Sequence, residues 1–565
     1  MNAKLFIALI GILFLMLTIS CSPKNVKKSN VPLAPEQYRR PKNLQLINYE
    51  YSTEDLKHKF SEDMMQRAAS RMEVMKEVNN KGEWKPTAKS LDGHATPEWF
   101  EDSKFGMFID WGLWSVAGWA DKKPTEGDPS EEPRTYPDWY ENRMYTTFKD
   151  YHEKNWGSDF KRDHFIPLFN ASKYEPEMLV NTAVEAGIKY IVPFTKHCTG
   201  FCLWPSSFTK RDVGDMGPKR DLTMPLAVSC KNNGIKFGFY LCIGEWEYPL
   251  IDNQGNIYKG EWGKRPDSVT DLKELETMWS GKIPVKDYYR DYLAPLATEF
   301  IDNYDPDILW FDAEWMTETS ENHSYDMAAY FYNKAQGRKE VAINDRYGDV
   351  NGKSLRWQRG DFYTSESEGN KYDEKRTLHA WEECRGISTS YGFDWQDSDK
   401  NVISSEKFIH MFVNIVSKGG NLLLITNLDG NGALPEIQEK RLKDIGKWLK
   451  VNGEGIYGTR SYFPISEGSV RYTRSKDSKK VYAIATEWPG KELKLKSVTP
   501  EKGSEIYMLG VETPLKWSYS KTEEVTLIEI PDNLQEESNR PCKYSYTFRI
   551  TVGQKILTEV FNKIY

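Results

Sequence analysis

The chain has 565 residues, a net charge of −7 and a hydrophobic content of 39%. This length suffices for two or more domains with a large buried core. Acidic and basic residues are intermixed, so no basic stripe predicts binding to nucleic acid. Aromatic residues make up 13% of the chain. This content is a weak indication of carbohydrate binding, because rings stack on sugar faces but also fill cores.

The first 21 residues have the pattern of an export signal. Lys4 supplies a positive charge, an apolar run covers residues 5–19, and Ser20 precedes Cys21. The run is shorter than the segment of about 20 apolar residues that a transmembrane helix needs. A small residue directly before a cysteine predicts a bacterial lipoprotein signal. We expect an exported protein that contacts the membrane only through a lipid on Cys21. The anchor would hold it in the periplasm or at the cell surface. A plain signal peptide is the alternative.

The remaining six cysteines follow no regular framework. Four of them lie in or beside apolar segments, which predicts buried thiols rather than bridges. Cys198 and Cys202 lie beside His197 in a spacing that a metal site uses, but no second ligand pair follows at zinc-type spacing. We therefore expect neither a metal nor another cofactor.

Changes of pattern divide the chain into four parts. Residues 1–21 form the signal, and residues 22–92 are polar with one helix-like stretch, Glu54–Val78, which predicts a tether and an N-terminal helical extension. Residues 93–455 alternate short apolar runs with polar loops and amphipathic helices. Residues 456–565 contain short β-rich segments between turn residues, which predicts a small antiparallel β-sandwich.

Residues 93–455 contain eight apolar runs that predict strands buried on both faces. Helices between them end at glycines such as Gly187, Gly234 and Gly419. Eight strands that alternate with helices predict an α/β fold of the (β/α)8-like barrel type. The runs are Phe105–Ile109, Lys189–Phe194, Phe237–Cys242, Ile308–Phe311, Val341–Ile343, Asp361–Tyr363, Gly386–Thr389 and Asn421–Ile425.

Two carboxylates at predicted strand ends are candidates for glycoside hydrolysis. Functional residues of such barrels lie just past the C-terminal ends of the strands. Asp312 directly follows Ile308–Phe311, and Glu366 falls in the loop predicted after Asp361–Tyr363. Retaining hydrolysis needs two carboxyl groups about 5–5.5 Å apart. From position alone, a structural role for Asp312, as a cap or an ion-pair partner, remains equally open.

Ordered motifs add a resemblance to a known family. They are WFxxxKFGMFI with a following WG from Trp99, TKH from Thr195, GFxLW from Gly200, MGPKRD from Met216, LWFD from Leu309, NDR from Asn344, GDF from Gly360 with Glu366, and WE from Trp381. Over roughly residues 95–530 the chain resembles glycoside hydrolase family 29, the α-L-fucosidases. The resemblance implies a barrel with a C-terminal β-sandwich, no metal, and retaining exo-hydrolysis of terminal α-L-fucosyl residues from oligosaccharides or polysaccharides.

The resemblance also implies roles for individual residues. The family's nucleophile falls on Asp312 and its acid/base on Glu366, with Glu368, Glu382 and Glu383 as competitors for the second role. Side chains of the implied sugar pocket are Asp110, Trp111, Asp138, Trp139, His197, Cys198, Tyr240, Trp310, Arg346 and, in the apolar wall at the C5 substituent, Tyr391.

Three positions depart from the family's pattern. Asp110 and Cys198 stand where histidines are usual, and Asp138 stands where glutamate is usual. An ionised carboxylate only accepts hydrogen bonds, whereas imidazole both donates and accepts. The departures suggest a related L-sugar as an alternative, for example L-galactose, whose C6 hydroxyl Asp110 or Asp138 would receive. A non-catalytic glycan-binding lipoprotein is a further alternative, which the retained pair of Asp312 and Glu366 argues against.

Overall fold

The computed structural model describes residues 31–46, 60–121, 135–264, 280–366, 379–389 and 391–553. The predicted signal segment, Cys21 and Glu368 lie outside these ranges. Among the described residues, no helix is both long and apolar enough to cross a membrane.

Eight parallel strands form the predicted barrel, in the order β6-β7-β8-β1-β2-β3-β4-β5. The seam between β5 and β6 is closed by one parallel bridge between Asn344 and Phe362. Beside it, the Asp361 N–H donates to the Ile343 carbonyl at 2.8 Å. The strands are β1 Phe105–Asp110, β2 Tyr190–Pro193, β3 Lys236–Cys242, β4 Ile308–Asp312, β5 Ala342–Ile343, β6 Tyr363–Glu366, β7 Trp381–Gly386 and β8 Asn421–Asn427.

Burial explains why most strands follow the predicted apolar runs. Every residue of β1 and of β8 is buried, because the barrel interior covers one face and the helices cover the other. Two strands differ from the prediction. β6 begins where the predicted Asp361–Tyr363 ends, so Glu366 is the last residue of a strand and not part of a loop. β7 precedes the predicted Gly386–Thr389. Both strands carry acidic residues, which a search for apolar runs misses.

Helices cover the outside of the barrel. They are α1 Ser61–Lys81, α2 Pro176–Ala186, α3 Thr223–Asn232, α4 Ala294–Tyr304, α5 Ser324–Ala335, α6 Ser405–Ser417 and α7 Glu436–Asn452, with shorter ones at Ala88–Leu91, Glu98–Ser103, Trp114–Ala117, Tyr140–Arg143 and Lys149–Asn155. The helix predicted at Glu54–Val78 is observed as α1, and residues 54–59 lie outside the described ranges. In α1, Arg71 pairs with Asp302 and Asn79 donates to the Asp326 carbonyl. The helical extension is therefore part of the barrel's outer layer.

The C-terminal part is the predicted antiparallel sandwich. One sheet has the order β9-β10-β11-β16-β13 and the other β12-β15-β14; the strands are β9 Thr459–Glu467, β10 Val470–Ser475, β11 Lys480–Ala485, β12 Glu492–Leu495, β13 Ile506–Met508, β14 Trp517–Ser520, β15 Val525–Glu529 and β16 Tyr546–Thr551. Residues of both sheets, such as Val481 and Ile528, share a second hydrophobic core. The Trp448 indole of α7 donates to the Ser545 carbonyl at 2.9 Å, which joins the sandwich to the barrel.

Candidate active site

Asp312 ends β4 at the C-terminal rim of the barrel, and two side chains hold its carboxylate. Arg346 Nη1 donates to Oδ1 at 2.6 Å, and the Tyr240 hydroxyl donates to Oδ2 at 2.6 Å. Tyr240 comes from the neighbouring β3, and Arg346 follows β5. One charged and one neutral donor thus fix the orientation of the carboxylate, with one hydrogen bond to each of its oxygens.

Arg346 connects the two candidate catalytic acids. Its side chain is buried, its Nε donates to Thr364 Oγ1 at 3.0 Å, and its Nη2 donates to Glu366 Oε1. The guanidinium also lies over the Trp310 ring, 4.6 Å from the ring centroid. Asp312 and Glu366 therefore share one guanidinium. This arrangement permits the separation of about 5–5.5 Å that retaining hydrolysis needs.

Glu366 and Glu382, two candidates for the acid/base role, differ in their exposure to solvent. The side chains of Asp312 and Glu366 are 19% and 28% exposed, so a substrate reaches both. Glu382 is fully buried in β7, where it accepts hydrogen bonds from Trp310 Nε1 and from the Tyr190 hydroxyl. Burial raises the pKa of Glu382 to about 7. Its contacts fix the Trp310 ring and leave it no access to a leaving group.

Glu383 and Glu368 are the other two candidates for the acid/base role. Glu383 is buried one residue further along β7, with Arg385 Nη1 at 3.9 Å from its Oε1. Successive side chains of a strand point to opposite faces, so Glu383 faces away from the side that Glu382 occupies. Glu368 lies outside the described residues.

Stacked aromatic rings form the floor beneath Asp312. The rings of Phe194 and Tyr240 are parallel with centroids 4.1 Å apart, and Tyr240 stacks on Trp310 at 5.8 Å. Phe108 packs against all three rings. Burial raises the pKa of Tyr240 well above its ordinary value, so its hydroxyl keeps the proton that it donates to Asp312.

Replacing Tyr240 by phenylalanine should lower kcat/KM about 10- to 100-fold. Loss of a hydrogen bond to a charged group costs about 1.5–3 kcal/mol, and here the charged group is the Asp312 carboxylate. Tyr248→Phe is the matched control, because the hydroxyl of that buried tyrosine donates to the Ile283 carbonyl instead. Steady-state kinetics of both variants test the assignment, and equal losses in the two would contradict it.

Asp110, Asp138 and His197 form a second polar group at the same rim. Asp110 ends β1 and accepts from Trp114 Nε1 at 2.9 Å; His197 Nε2 lies 3.6 Å from Asp138 Oδ2. The His197 ring stacks near Tyr240, with centroids 6.3 Å apart, which places the group beside the residue that holds Asp312. Asp110 Oδ2, Asp138 Oδ1 and His197 Nδ1 are buried without a hydrogen-bond partner among the described residues.

Burial sets the charge state of this group. It raises the pKa of Asp110 to about 8 and that of Asp138 well above its ordinary range, and it lowers the pKa of His197 to about 3. Repulsion between Asp110 and Asp138 adds to the shift of Asp138. At neutral pH the group therefore offers a neutral imidazole and at least one protonated carboxyl, which donates as well as accepts.

Asp110→Asn should reduce the loss of stability that we expect of the wild type as pH rises from 4 to 8. A folded-state pKa of about 8 against an ordinary 3.8 means that the stabilising contribution of the protonated carboxyl is lost as pH rises between these values. Asparagine is neutral throughout, so the variant should be more stable than the wild type at pH 8, by about 1 kcal/mol or more. Thermal unfolding from pH 4 to 8 measures this, and parallel curves for both proteins would contradict it.

The remaining predicted pocket residues divide into two sets. Trp139 packs on Trp246, with centroids 5.2 Å apart, and Trp246 in turn packs on His197. The Tyr391 carbonyl accepts from the Asp138 N–H at 3.3 Å, so Trp139 and Tyr391 both belong to this rim. Trp111 instead packs against Phe169 and Tyr174 and donates to the Asp429 carbonyl; no described contact joins it to Asp312.

Cys198 lies at the rim but faces another cysteine. Its Sγ is 2.7 Å from Cys242 Sγ, and both residues are buried. Burial raises the pKa of the Cys198 thiol well above its ordinary value, so the side chain is uncharged. Within the described residues, no group of three or more His, Cys, Asp or Glu side chains is arranged to hold a metal ion.

Sequence reasoning missed Glu314. This residue is 1% exposed, and its Oε2 lies 4.0 Å from Arg346 Nη1. Its position two residues after Asp312 in the segment FDAEW was the available signal. An acid in the turn after a strand, however, is most often exposed, and only the path of the chain shows that this one is buried.

Comparison with known proteins identifies the family. The model of the Alpha-L-fucosidase family matches residues 71–454, and that of the Alpha-L-fucosidase C-terminal domain matches residues 465–551. The chain belongs to the α-L-fucosidase family. The plasma alpha-L-fucosidase of Rattus norvegicus is 30% identical, over 82% of this chain and 94% of that protein. The alpha-L-fucosidase of Branchiostoma floridae is 29% identical, over 82% and 95%.

A solved structure of an α-fucosidase has the same fold as this chain. The crystal structure of Thermotoga maritima alpha-fucosidase in complex with fucose superposes with a TM-score of 0.65 and is 29% identical in sequence. The match covers 83% of this chain and 100% of that one. The resemblance stated from motifs, and the barrel with a β-rich C-terminal domain that it implies, are therefore confirmed.

Proposed function

We propose that this α-L-fucosidase-family protein hydrolyses terminal α-L-fucosyl residues of glycans by retention, with Asp312 as nucleophile and Glu366 as acid/base. The observation that carries the proposal is the shared guanidinium of Arg346, which contacts both partly exposed carboxylates. The double displacement requires two carboxyl groups about 5–5.5 Å apart, a separation that two carboxylates on one guanidinium can have.

In the first step, Asp312 attacks the anomeric carbon and forms a glycosyl ester. The Glu366 carboxyl gives its proton to the departing glycosidic oxygen, so the leaving group departs as an alcohol. Arg346 and Tyr240 keep the attacking carboxylate oriented through their hydrogen bonds to its two oxygens.

In the second step, Glu366 acts as a base. It removes a proton from water, and the hydroxide oxygen attacks the anomeric carbon while the bond to Asp312 breaks. Two inversions at one carbon give net retention. As the ester forms, the carboxylate of Asp312 loses its charge, and Arg346 remains paired with Glu366, whose negative charge prepares it for this role.

The second polar group is assigned to the sugar hydroxyls. Asp110, Asp138 and His197 each have one buried atom without a hydrogen-bond partner among the described residues, which would otherwise cost about 1–3 kcal/mol per atom. Hydroxyls of a bound sugar, which both donate and accept, suit a mixture of protonated carboxyl and neutral imidazole. Trp139, Trp310 and Tyr391 supply ring surface for the apolar parts of the sugar, and Cys198 contributes a neutral wall.

Hydrolysis of aryl α-L-fucoside and aryl α-L-galactoside by the purified protein tests this function. We expect release of α-L-fucose as the first product, observed by NMR before mutarotation. Release of the β-anomer would contradict retention. Hydrolysis of the galactoside alone would replace fucose by L-galactose while leaving the mechanism intact, and no hydrolysis of either by a folded protein would favour a glycan-binding role.

We also propose that the protein is lipid-anchored in the bacterial envelope through Cys21. The support is the apolar run of residues 5–19 with Ser20 before the cysteine. We expect the wild type to partition into the detergent phase and Cys21→Ser to partition into the aqueous phase. Equal partitioning of the two proteins, with an unmodified mass for the mature N-terminus, would contradict the anchor.

A further inference from the structure

Glu314 is a third carboxyl beside the catalytic pair. It lies in the turn after β4, where residues 314–316 form one turn of 3-10 helix. Ala313 adopts a left-handed conformation with φ of 60°, which turns the chain so that Glu314 is directed inward. Its side chain is 1% exposed, in contrast to Asp312 at 19%.

Two arginines approach Glu314 without closing an ion pair of hydrogen-bonding length. Arg346 Nη1 lies 4.0 Å from Oε2, and Arg356 Nε lies 3.7 Å from Oε1. Glu314 Oε2 is buried without a hydrogen-bond partner among the described residues. Arg346 instead directs its hydrogen bonds to Asp312 and Glu366. The positive charge of Arg346 therefore acts on Glu314 without a hydrogen bond between the two side chains.

The charges around Glu314 are Arg346, Arg356, Asp312 and, across Arg346, Glu366. The strand Asp349–Val350 packs against the same turn and adds a further carboxyl. The carboxyls of Asp312, Glu314 and Glu366 lie around two guanidinium groups, and the buried carboxyl of Asp345 interacts with both of these groups. Carboxyls therefore outnumber guanidinium groups in this cluster, which favours a bound proton.

We propose that Glu314 is a positioning residue of the reaction, which acts through Arg346 to set how strongly the Asp312–Glu366 pair holds the proton that Glu366 must donate. Burial raises the pKa of Glu314 to about 7, against the opposing effect of Arg346. Below this pH the residue is neutral and has little effect. Above it, the negative charge of Glu314 offsets part of the charge of Arg346, so Glu366 keeps its proton to higher pH.

The inference rests on the proposed roles of Asp312 and Glu366, and the sign of the effect makes it testable. Glu314→Gln keeps the shape and removes the charge. The basic limb of the kcat/KM profile should then move to lower pH by about half a unit or more, because a neighbouring charge typically moves a pKa on that scale. The acidic limb should stay in place, because Glu314 is already neutral there.

Arg356→Gln is combined with Glu314→Gln, because loss of Arg356 alone would also change the charge of Glu314. Arg356 is 25% exposed, so its loss should be tolerated by the fold. With Glu314 already neutral, removal of the positive charge should move the basic limb back to higher pH. Glu321→Gln is the matched control, since it removes one negative charge from an exposed position seven residues along the same segment. Its pH profile should superimpose on that of the wild type.

The experiment is the pH dependence of kcat/KM and KM for the wild type and these three variants on aryl α-L-fucoside, with Tm recorded for each. Displacement of the basic limb to lower pH in Glu314→Gln, and back to higher pH in the double variant, with KM little changed, supports the inference. A uniform loss of kcat without displacement, or displacement to higher pH in Glu314→Gln, overturns it while the function stands. An inactive wild type would instead overturn the proposed function.

Discussion

Asp312→Ala should lower kcat for an aryl α-L-fucoside on the order of 10⁴-fold or more, the scale seen when a covalent nucleophile is removed. Without the carboxylate, neither the glycosyl ester nor the charge that stabilises an oxocarbenium-like transition state is available. Steady-state kinetics on an activated substrate measure the loss. Added azide should restore turnover by entering the space that the side chain leaves, and the product should be the β-L-fucosyl azide of single inversion.

Asp307→Asn is the matched control for this variant. Asp307 precedes β4 at the opposite end of the strand, where it pairs with Lys236 and accepts from the Phe237 N–H. In barrels of this kind, residues at that end contribute to stability and not to chemistry. The control should lower Tm and leave kcat per folded molecule intact. Undiminished activity of Asp312→Ala, or an α-configured azide product, would contradict the nucleophile assignment.

Glu366→Ala should show a loss that depends on the leaving group. For a substrate whose alcohol is a poor leaving group, protonation of the glycosidic oxygen is essential, and kcat/KM should fall about 10²–10⁴-fold. For a dinitrophenyl fucoside, which departs without a proton, the loss in the first step should be small. The basic limb of the pH profile should disappear with the carboxyl group that loses its proton there. A series of aryl fucosides of graded leaving-group pKa measures this dependence.

Glu368→Ala is the control for the acid/base assignment, because Glu368 is the nearest competing glutamate in the sequence. We expect its activity to show no dependence on the leaving group beyond that of the wild type. A steep dependence in Glu368→Ala, together with a shallow one in Glu366→Ala, would transfer the acid/base role to Glu368.

The strands of the barrel could be predicted where their residues are uniformly apolar. β1 and β8 agree with the predicted runs because every position in them is buried against apolar neighbours. β7 could not be predicted in this way. It carries Glu382 into the interior. The hydrogen bonds that offset the cost of burying this side chain come from Tyr190 and Trp310, which are far away in the sequence.

The same limit applies to the site. The place of Asp312 at the rim was predictable, because it follows an apolar run that forms a buried strand. Its role as nucleophile is implied by the motif around it and stays a prediction. The bridging contacts of Arg346 to both carboxylates and the burial of Glu314 depend on side chains that meet only in the folded chain. Trp111 and Trp139 show the converse case: the family resemblance implies both for the sugar pocket, but only Trp139 packs with the aromatic rings around His197.

The retaining mechanism requires that Asp312 forms a covalent bond with the sugar. A 2-deoxy-2-fluoro-fucosyl fluoride should trap this ester. Fluorine at C2 slows both steps because it destabilises the positive charge of both transition states, whereas the departing fluoride at C1 keeps the first step faster than the second. Mass spectrometry of the peptides should place one 2-fluorofucosyl group on Asp312, with loss of activity in proportion to labelling. A label on another carboxylate, or inactivation without any covalent label, would contradict the role of Asp312 as nucleophile.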